Sequence, residues 1–367
     1  MDRIKAIFTL ATVGDIVGYK NGLWEFNKNG SDIINQFTKE YGSIDKLDIN
    51  NPKKWIYSDD TVLHIATLKS IIDAINQLKG KNIHLTNDNI INNIYNFMIY
   101  EYIYCEKFMI DRAPGRQYMN AIEYYQNNKT AINVPYSGTA GGNGASIRSM
   151  ILATITKKYL DNNIENLIKL AFYGAIITHN NGIGIIGGIL TSCFTYFGLN
   201  NINPNQWGKK FLNDILPLVK NFINSLKNEY DKKHINRDLN NFENKFKIYL
   251  IERNIYTVVN PIFPKNFMDV KFRDEYYKKY SYDGWSGASG DDCVIIALDT
   301  LIYSGTDFSK LLYLSALHGG DSDSTATIAC AFYGSLYGFL NCPKNLLTNY
   351  ENNDYINNLI NSLIFLL

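Results

Sequence analysis

The sequence predicts an all-α protein folded as one domain over residues 1–367, and three observations predict it. Apolar residues recur at helical spacing, as in 61–78, where Val62, Ile65, Ala66, Leu68, Ile72 and Ile75 share one broad face. Strict two-residue alternation bounded by turns, the mark of half-buried strands, is hard to find. The eight prolines and most of the 26 glycines fall between the periodic segments, where they act as helix punctuation.

Taken in order, the periodicity predicts helices over 61–78, 89–104, 147–157, 164–177, 183–197, 211–226, 292–302, 308–317 and 325–339. The Lys/Asn-rich stretch 200–260 reads as a peripheral insertion, a solvated pair of surface helices. The chain shows no repeat of fixed period and no low-complexity linker.

Apolar residues at 46% and aromatics at 14% are ample for a large core. A formal net charge of +1 gives no electrostatic case for nucleic acid or an anionic membrane. Cys105, Cys193, Cys293, Cys330 and Cys342 are odd in number, widely spaced and without a CxxC pair. They read as reduced core residues of a cytoplasmic protein. No signal-peptide pattern is visible, since Asp2, Arg3 and Lys5 lead into Gly14-Asp15 without a cleavage-like region. The stretch Gly182–Leu199 is apolar and nearly long enough to span a bilayer. Its crowded glycines (182, 184, 187, 188) favour a tightly packed core helix instead.

The chemistry concentrates in two places. His318-Gly319-Gly320-Asp321-Ser322-Asp323-Ser324-Thr325 opens one helical stretch, and Ser58-Asp59-Asp60-Thr61 opens another far upstream. A helix start takes one such residue as its cap and favours acids in its first turn. Consecutive acids and hydroxyls at two helix starts exceed that need. Alternating Asp and Ser/Thr oxygens suit a hard divalent cation. Four carboxylates drawn together would repel one another, and two divalent cations balance four such charges. Asp321-Ser-Asp-Ser-Thr325 also fits a phosphatase D-x-D-x-T pattern literally, but that chemistry needs a buried strand ahead of it and a doubly wound fold.

Gly138-Thr139-Ala140-Gly141-Gly142-Asn143-Gly144-Ala145-Ser146 precedes a helix and can leave backbone N–H groups free for phosphate oxygens. It is neither a P-loop nor a dinucleotide fingerprint. Tyr282-Asp283-Gly284-Trp285-Ser286-Gly287-Ala288-Ser289-Gly290 can stack a base and bond a ribose, or simply connect helices. On position alone, His179 reads as a structural residue.

Together these motifs resemble the ADP-ribosyl-acceptor glycohydrolases nearly end to end. The resemblance runs through Gly14-Asp15, Gly18-Tyr19, Asn21-Gly22, Trp24-Glu25, Ser58-Asp59-Asp60-Thr61, Gly115-Arg116 and the 142–145 loop. It continues through Thr178-His179, Gly187-Gly188, Gly284-Trp285-Ser286, Ser289-Gly290 and the stretch from His318 to Ala326. The Asn-Gly-x-Trp-Glu and Gly-Trp-Ser elements resemble the arginine-directed branch, ADP-ribosylarginine hydrolase. The resemblance implies an orthogonal helix bundle with a dinuclear metal site in a central cleft. One Mg²⁺ would be held by Ser58, Asp59, Asp60 and Asp323, and a second by Asp321, Asp323 and Ser324, with Asp323 bridging. It further implies a substrate site of Gly141, Gly142, Asn143, Gly144, Ala145 and His179 for the diphosphate. Tyr282, Gly284, Trp285 and Ser286 would take the adenosine half.

The implied reaction is Mg²⁺-dependent hydrolysis of the N-glycosidic bond between ADP-ribose and protein arginine, with Asp59 or Asp60 as base. Asn143 resembles the serine-directed branch, and Asp291 stands where arginine-directed relatives tend to carry His. These two put the acceptor in question, so an ADP-ribosylserine hydrolase is one alternative. A non-catalytic ADP-ribose reader is another, disfavoured by the six intact ligand positions. The expected partners are an ADP-ribosylated protein and ADP-ribose. Nucleic acid and membrane are not expected, and the chain is expected to be a monomer.

Overall fold

The computed structural model describes residues 1–51, 53–81 and 83–367, and among them there are seventeen α-helices and no strand. The first half holds α1 Asp2–Tyr19, α2 Gly30–Glu40, α3 Asp59–Gly80, α4 Asn87–Tyr104, α5 Arg116–Asn127, α6 Ser146–Ser149, α7 Thr156–Tyr159 and α8 Ile164–Ile176. The second holds α9 Gly182–Leu199, α10 Trp207–Lys210, α11 Leu216–Asn224, α12 Glu229–Glu252, α13 Val270–Lys278, α14 Asp292–Ser304, α15 Phe308–Ala316, α16 Ser322–Tyr337 and α17 Asn353–Leu366. The all-α expectation holds.

At the centre α1 packs along α16. α1 is buried without interruption from Ala6 to Tyr19, so it has no polar face to generate periodicity, and the apolar-pattern reading passed over it. Small residues allow the two backbones to touch. A Cβ on Gly18 would sit 2.5 Å from Asp323 Cα, and one on Gly334 would sit 2.6 Å from the Ala6 carbonyl carbon. This contact sets the start of α16 against the end of α1.

α9 is the one described helix long and apolar enough to cross a membrane, and 83% of it is buried within the protein. Phe194 on this helix meets Trp207, Phe211, Phe246 and Phe332 at ring-centroid distances of 5.4–6.4 Å. The 200–260 stretch therefore keeps a solvated face while its other face closes over α9. Its end is fixed by Arg253, whose guanidinium pairs with buried Asp299 at 2.6 Å.

Two expected helices are less regular than their pattern. Residues 147–157 form α6, a 3₁₀ segment Met150–Ile155, and α7. Residues 211–226 begin with a π-turn, Phe211–Ile215. Pro217, the second residue of α11, lacks the N–H that an α-helix would direct to residue 213, so the winding loosens there.

Candidate active site

Three chain segments converge at the α1/α16 contact. The first is the start of α3. Ser58 caps it, its Oγ accepting from Asp60 N at 3.1 Å. Asp15, fully buried on α1, accepts from Ser58 N and Thr61 N at 2.9 Å each and from the Thr61 hydroxyl. Asp15 thus acts as a second cap and fixes the direction of Asp59-Asp60. Asp59 N donates to Arg112 O at 2.9 Å and its Oδ2 accepts from Gly115 N at 3.2 Å, which seats the 109–115 loop beside it.

The second segment is the turn from α15 into α16. The Asp274 carboxylate receives Gly319 N and Gly30 N, both at 2.9 Å. His318 Nε2 pairs with Thr325 Oγ1 at 2.7 Å. Asp321 N donates to Ser286 O, and Ser322 Oγ donates to Gly18 O at 3.0 Å. These bonds aim Asp321, Asp323 and Ser324 at the start of α3. Ser324 Oγ then donates to Asp60 Oδ2 at 2.9 Å, so the two acidic motifs meet.

The third segment contributes Glu25. Oxygens of Glu25, Asp321 and Asp323 lie within 4.8 Å of one another, and all three residues are buried. Sequence reasoning noted Glu25 within a motif but gave it no role, because a lone glutamate in a loop carries no spacing signal. Asp15 was likewise noted within Gly14-Asp15 and given no role, since a single acid inside an apolar helix carries no spacing signal either.

Burial pushes these carboxyls up, with repulsion from neighbouring acids adding to it at Glu25, Asp59, Asp60 and Asp323. Asp15 rises to about 6, Asp59 to about 8 and Glu25 to about 10. Asp60, Asp321 and Asp323 are raised as well, again chiefly by burial. Glu25 Oε2 and Asp321 Oδ1 are buried and accept no hydrogen bond. Buried carboxyl oxygens without a partner are costly, and a cation bound among them would satisfy them. Their all-oxygen donor set fits a hard divalent ion.

The glycine loop and the aromatic loop form the neighbouring wall. Gly142 pairs with Ser289 in an antiparallel bridge, with Gly290 N to Gly141 O at 3.0 Å and Asn143 N to Ala288 O at 3.2 Å. Asn143 turns its amide to Gly287 O (2.9 Å) and Asp321 Oδ2 (3.1 Å), linking this wall to the acids. Ala145 is buried where the loop enters α6. The His179 ring lies beneath the loop, and a Cβ on Gly144 would stand 2.6 Å from its Cε1. Burial, then Arg148, lowers His179 to about 3, leaving a neutral imidazole. Arg148 itself was not anticipated. Fully buried, it donates to Gly144 O at 2.6 Å and Thr178 Oγ1 at 2.7 Å, stiffening the loop from below.

In the aromatic loop, Trp285 sits 6.1 Å from Phe26, and neither its Nε1 nor Ser286 Oγ has a protein partner. Tyr282 is 79% exposed beside Gly284, whose φ of +74° favours glycine. Asp292 accepts from Gly287 N and Ser289 N, and Asp291 pairs with Lys245 at 2.7 Å, so both acids anchor the loop from behind.

The site is thus an acid cluster fit for cations beside a glycine loop and unpaired donors. The ADP-ribosylglycohydrolase family model matches residues 1–366. The chain is 34% identical to ADP-ribosylhydrolase ARH1 of Dictyostelium discoideum over 96% of its own length and 91% of that protein. It is 30% identical to a putative ADP-ribosyl glycohydrolase, L444, of Acanthamoeba polyphaga mimivirus, over 96% of the chain and 67% of the relative. A solved structure described as an ADP-ribosylglycohydrolase-related protein complex shares the fold, with a TM-score of 0.61 at 14% identity, covering 99% of this chain and 96% of that one. The protein belongs to the ADP-ribosylglycohydrolase family.

Proposed function

We propose that the protein is a Mg²⁺-dependent hydrolase of the N-glycosidic bond between ADP-ribose and arginine on modified proteins. The observation that carries this reading is the pair of orphaned buried oxygens, on Glu25 and Asp321, within a cluster completed by Asp60 and Ser324. Ser58, Asp59, Asp60 and Asp323 would hold one ion and Asp321, Asp323 and Ser324 a second, with Glu25 added to the donor set. Bound there, the ions would offset the carboxylate repulsion, grip the ribose hydroxyls and acidify a water.

The chain's own groups supply the rest. Asp59 is half-buried and uses Oδ2 on Gly115 N, whereas Asp60 is buried and already accepts from Ser324. Asp59 is accordingly the better placed to take the proton from the attacking water. Free N–H groups of the 141–145 loop would orient the diphosphate, with neutral His179 beneath it. Tyr282, Gly284, Trp285 and Ser286 would receive the adenosine half. Holding the substrate rigidly at both ends of the scissile ribose converts attack into a positioned step. The neighbouring carboxylates favour an oxocarbenium-like transition state.

The Asn21-Gly22-x-Trp24-Glu25 and Gly284-Trp285-Ser286 elements support arginine as acceptor. Asn143 is the feature that favours serine, and its amide is engaged with Asp321 and Gly287. The five free cysteines support a cytoplasmic setting, with the chain acting as a monomer. Mg²⁺-dependent release of ADP-ribose from arginine-modified peptide, with none from serine-modified peptide, is the expected assay result. Binding of ADP-ribose without cleavage of either peptide would instead make the protein a reader.

A further inference from the structure

Between α1 and Glu25 the chain takes three successive left-handed residues. Lys20, Asn21 and Gly22 have φ of 45°, 52° and 78°. Asparagine adopts this backbone more readily, whereas for lysine it is unfavourable and persists only where the surroundings hold it. Two side chains do so. Asn21 reaches across to the segment ahead of Ser58, donating to Lys53 O at 3.2 Å and accepting from Ile56 N at 2.9 Å.

Lys20 goes inward. It is only 5% exposed, yet among the described residues no carboxylate lies within ion-pair distance of it. Its ammonium stands 3.6 Å from the Trp55 ring centroid, 4.8 Å from Tyr41 and 5.6 Å from Trp24, and it donates to the Tyr41 hydroxyl. Burial lowers it to about 8, with Glu40 and Lys54 the charged groups in electrostatic range, so it remains a cation at neutral pH. A buried cation facing ring quadrupoles is held more firmly than one in water.

The cage joins two parts of the site. Trp24 directly precedes Glu25, and Trp55 lies three residues before Ser58. Glu25 is buried within 4.8 Å of Asp321 and Asp323, a place that its loop must hold it in.

We propose that Lys20 is a positioning residue: seated in the Trp24, Tyr41 and Trp55 cage, it latches the left-handed turn that places Glu25 against Asp321 and Asp323. The inference rests on the hydrolase reading for its effect on turnover, but not for the latch itself.

Lys20→Met keeps the apolar stem and removes the ammonium. Amide exchange across residues 20–26 should quicken about tenfold in it, with exchange of the buried helices near wild type. Turnover of the modified peptide should fall while KM holds, and Lys20→Arg should restore both. Added to Glu25→Gln, Lys20→Met should bring no further loss of turnover, because the two act through one carboxylate. Unchanged exchange over 20–26 overturns the latch, and multiplicative losses in the double variant overturn action through Glu25. If wild-type protein cleaves neither peptide, the hydrolase reading fails while the exchange comparison still decides the latch. Should Lys20→Met not fold, Tyr41→Phe removes only the hydroxyl acceptor and gives the same comparison.

Discussion

Ser324 Oγ donates to Asp60 Oδ2 at 2.9 Å, joining the first turns of two helices that lie 264 residues apart in the chain. Around this bond sit Glu25, Asp59, Asp321 and Asp323, and the two helix starts are pinned by bonds from Ser58 N to Asp15, Ser322 Oγ to Gly18 O and Gly319 N to Asp274. The cluster depends on a helix crossing close enough to abolish side chains at the contact.

Mg²⁺ should raise the melting temperature of the wild type, and Asp323→Ala should abolish both that rise and turnover. Removing one of several mutually repelling buried acids should leave the metal-free protein no less stable. Thermal melts with EDTA and with Mg²⁺ test this, and a preserved Mg²⁺ shift would contradict the shared-ligand role.

Metal-free protein should lose stability as pH rises. Folding raises Asp15 to about 6 and Asp59 to about 8, above ordinary carboxyls near 4, so the folded state holds protons that the unfolded chain has released. That contribution is fully present below the unfolded pKa and is lost as pH climbs through the folded values. Melts in EDTA from pH 5 to about 9 should fall by several degrees through this source, and Mg²⁺ should flatten the slope.

Asp15→Asn should weaken the seat of Ser58 and Thr61, because one amide cannot accept all three of the present hydrogen bonds. A loss of about 1–3 kcal/mol in urea unfolding is expected, with turnover falling further than substrate affinity.

Much of this site was legible before the fold. Consecutive acids and hydroxyls at two helix starts exceed what capping needs, and so they stand out in one dimension. Glu25, Asp15 and Lys20 are single residues whose meaning comes from what packs against them, and no spacing announces them. α1 was passed over because a helix buried on every side carries no amphipathic stripe, although Gly14 and Gly18 mark its contact with α16. The helix over 61–78 was readable although most of it is buried, because the narrow strip of Lys69, Asp73, Asn76 and Gln77 that stays wet leaves a period in the pattern.

Gly144→Ala should act on binding. The new Cβ would meet the buried His179 ring at 2.6 Å, displacing the loop or the imidazole. Calorimetry should show ADP-ribose binding weakened at least about tenfold, with the metal-linked melting shift intact.

The central claim is tested most directly by ADP-ribose release from arginine-modified and serine-modified versions of one peptide, each with Mg²⁺ and with EDTA. The account predicts release from the arginine peptide with Mg²⁺ alone. Release from the serine peptide only, or equal release in EDTA, would contradict it.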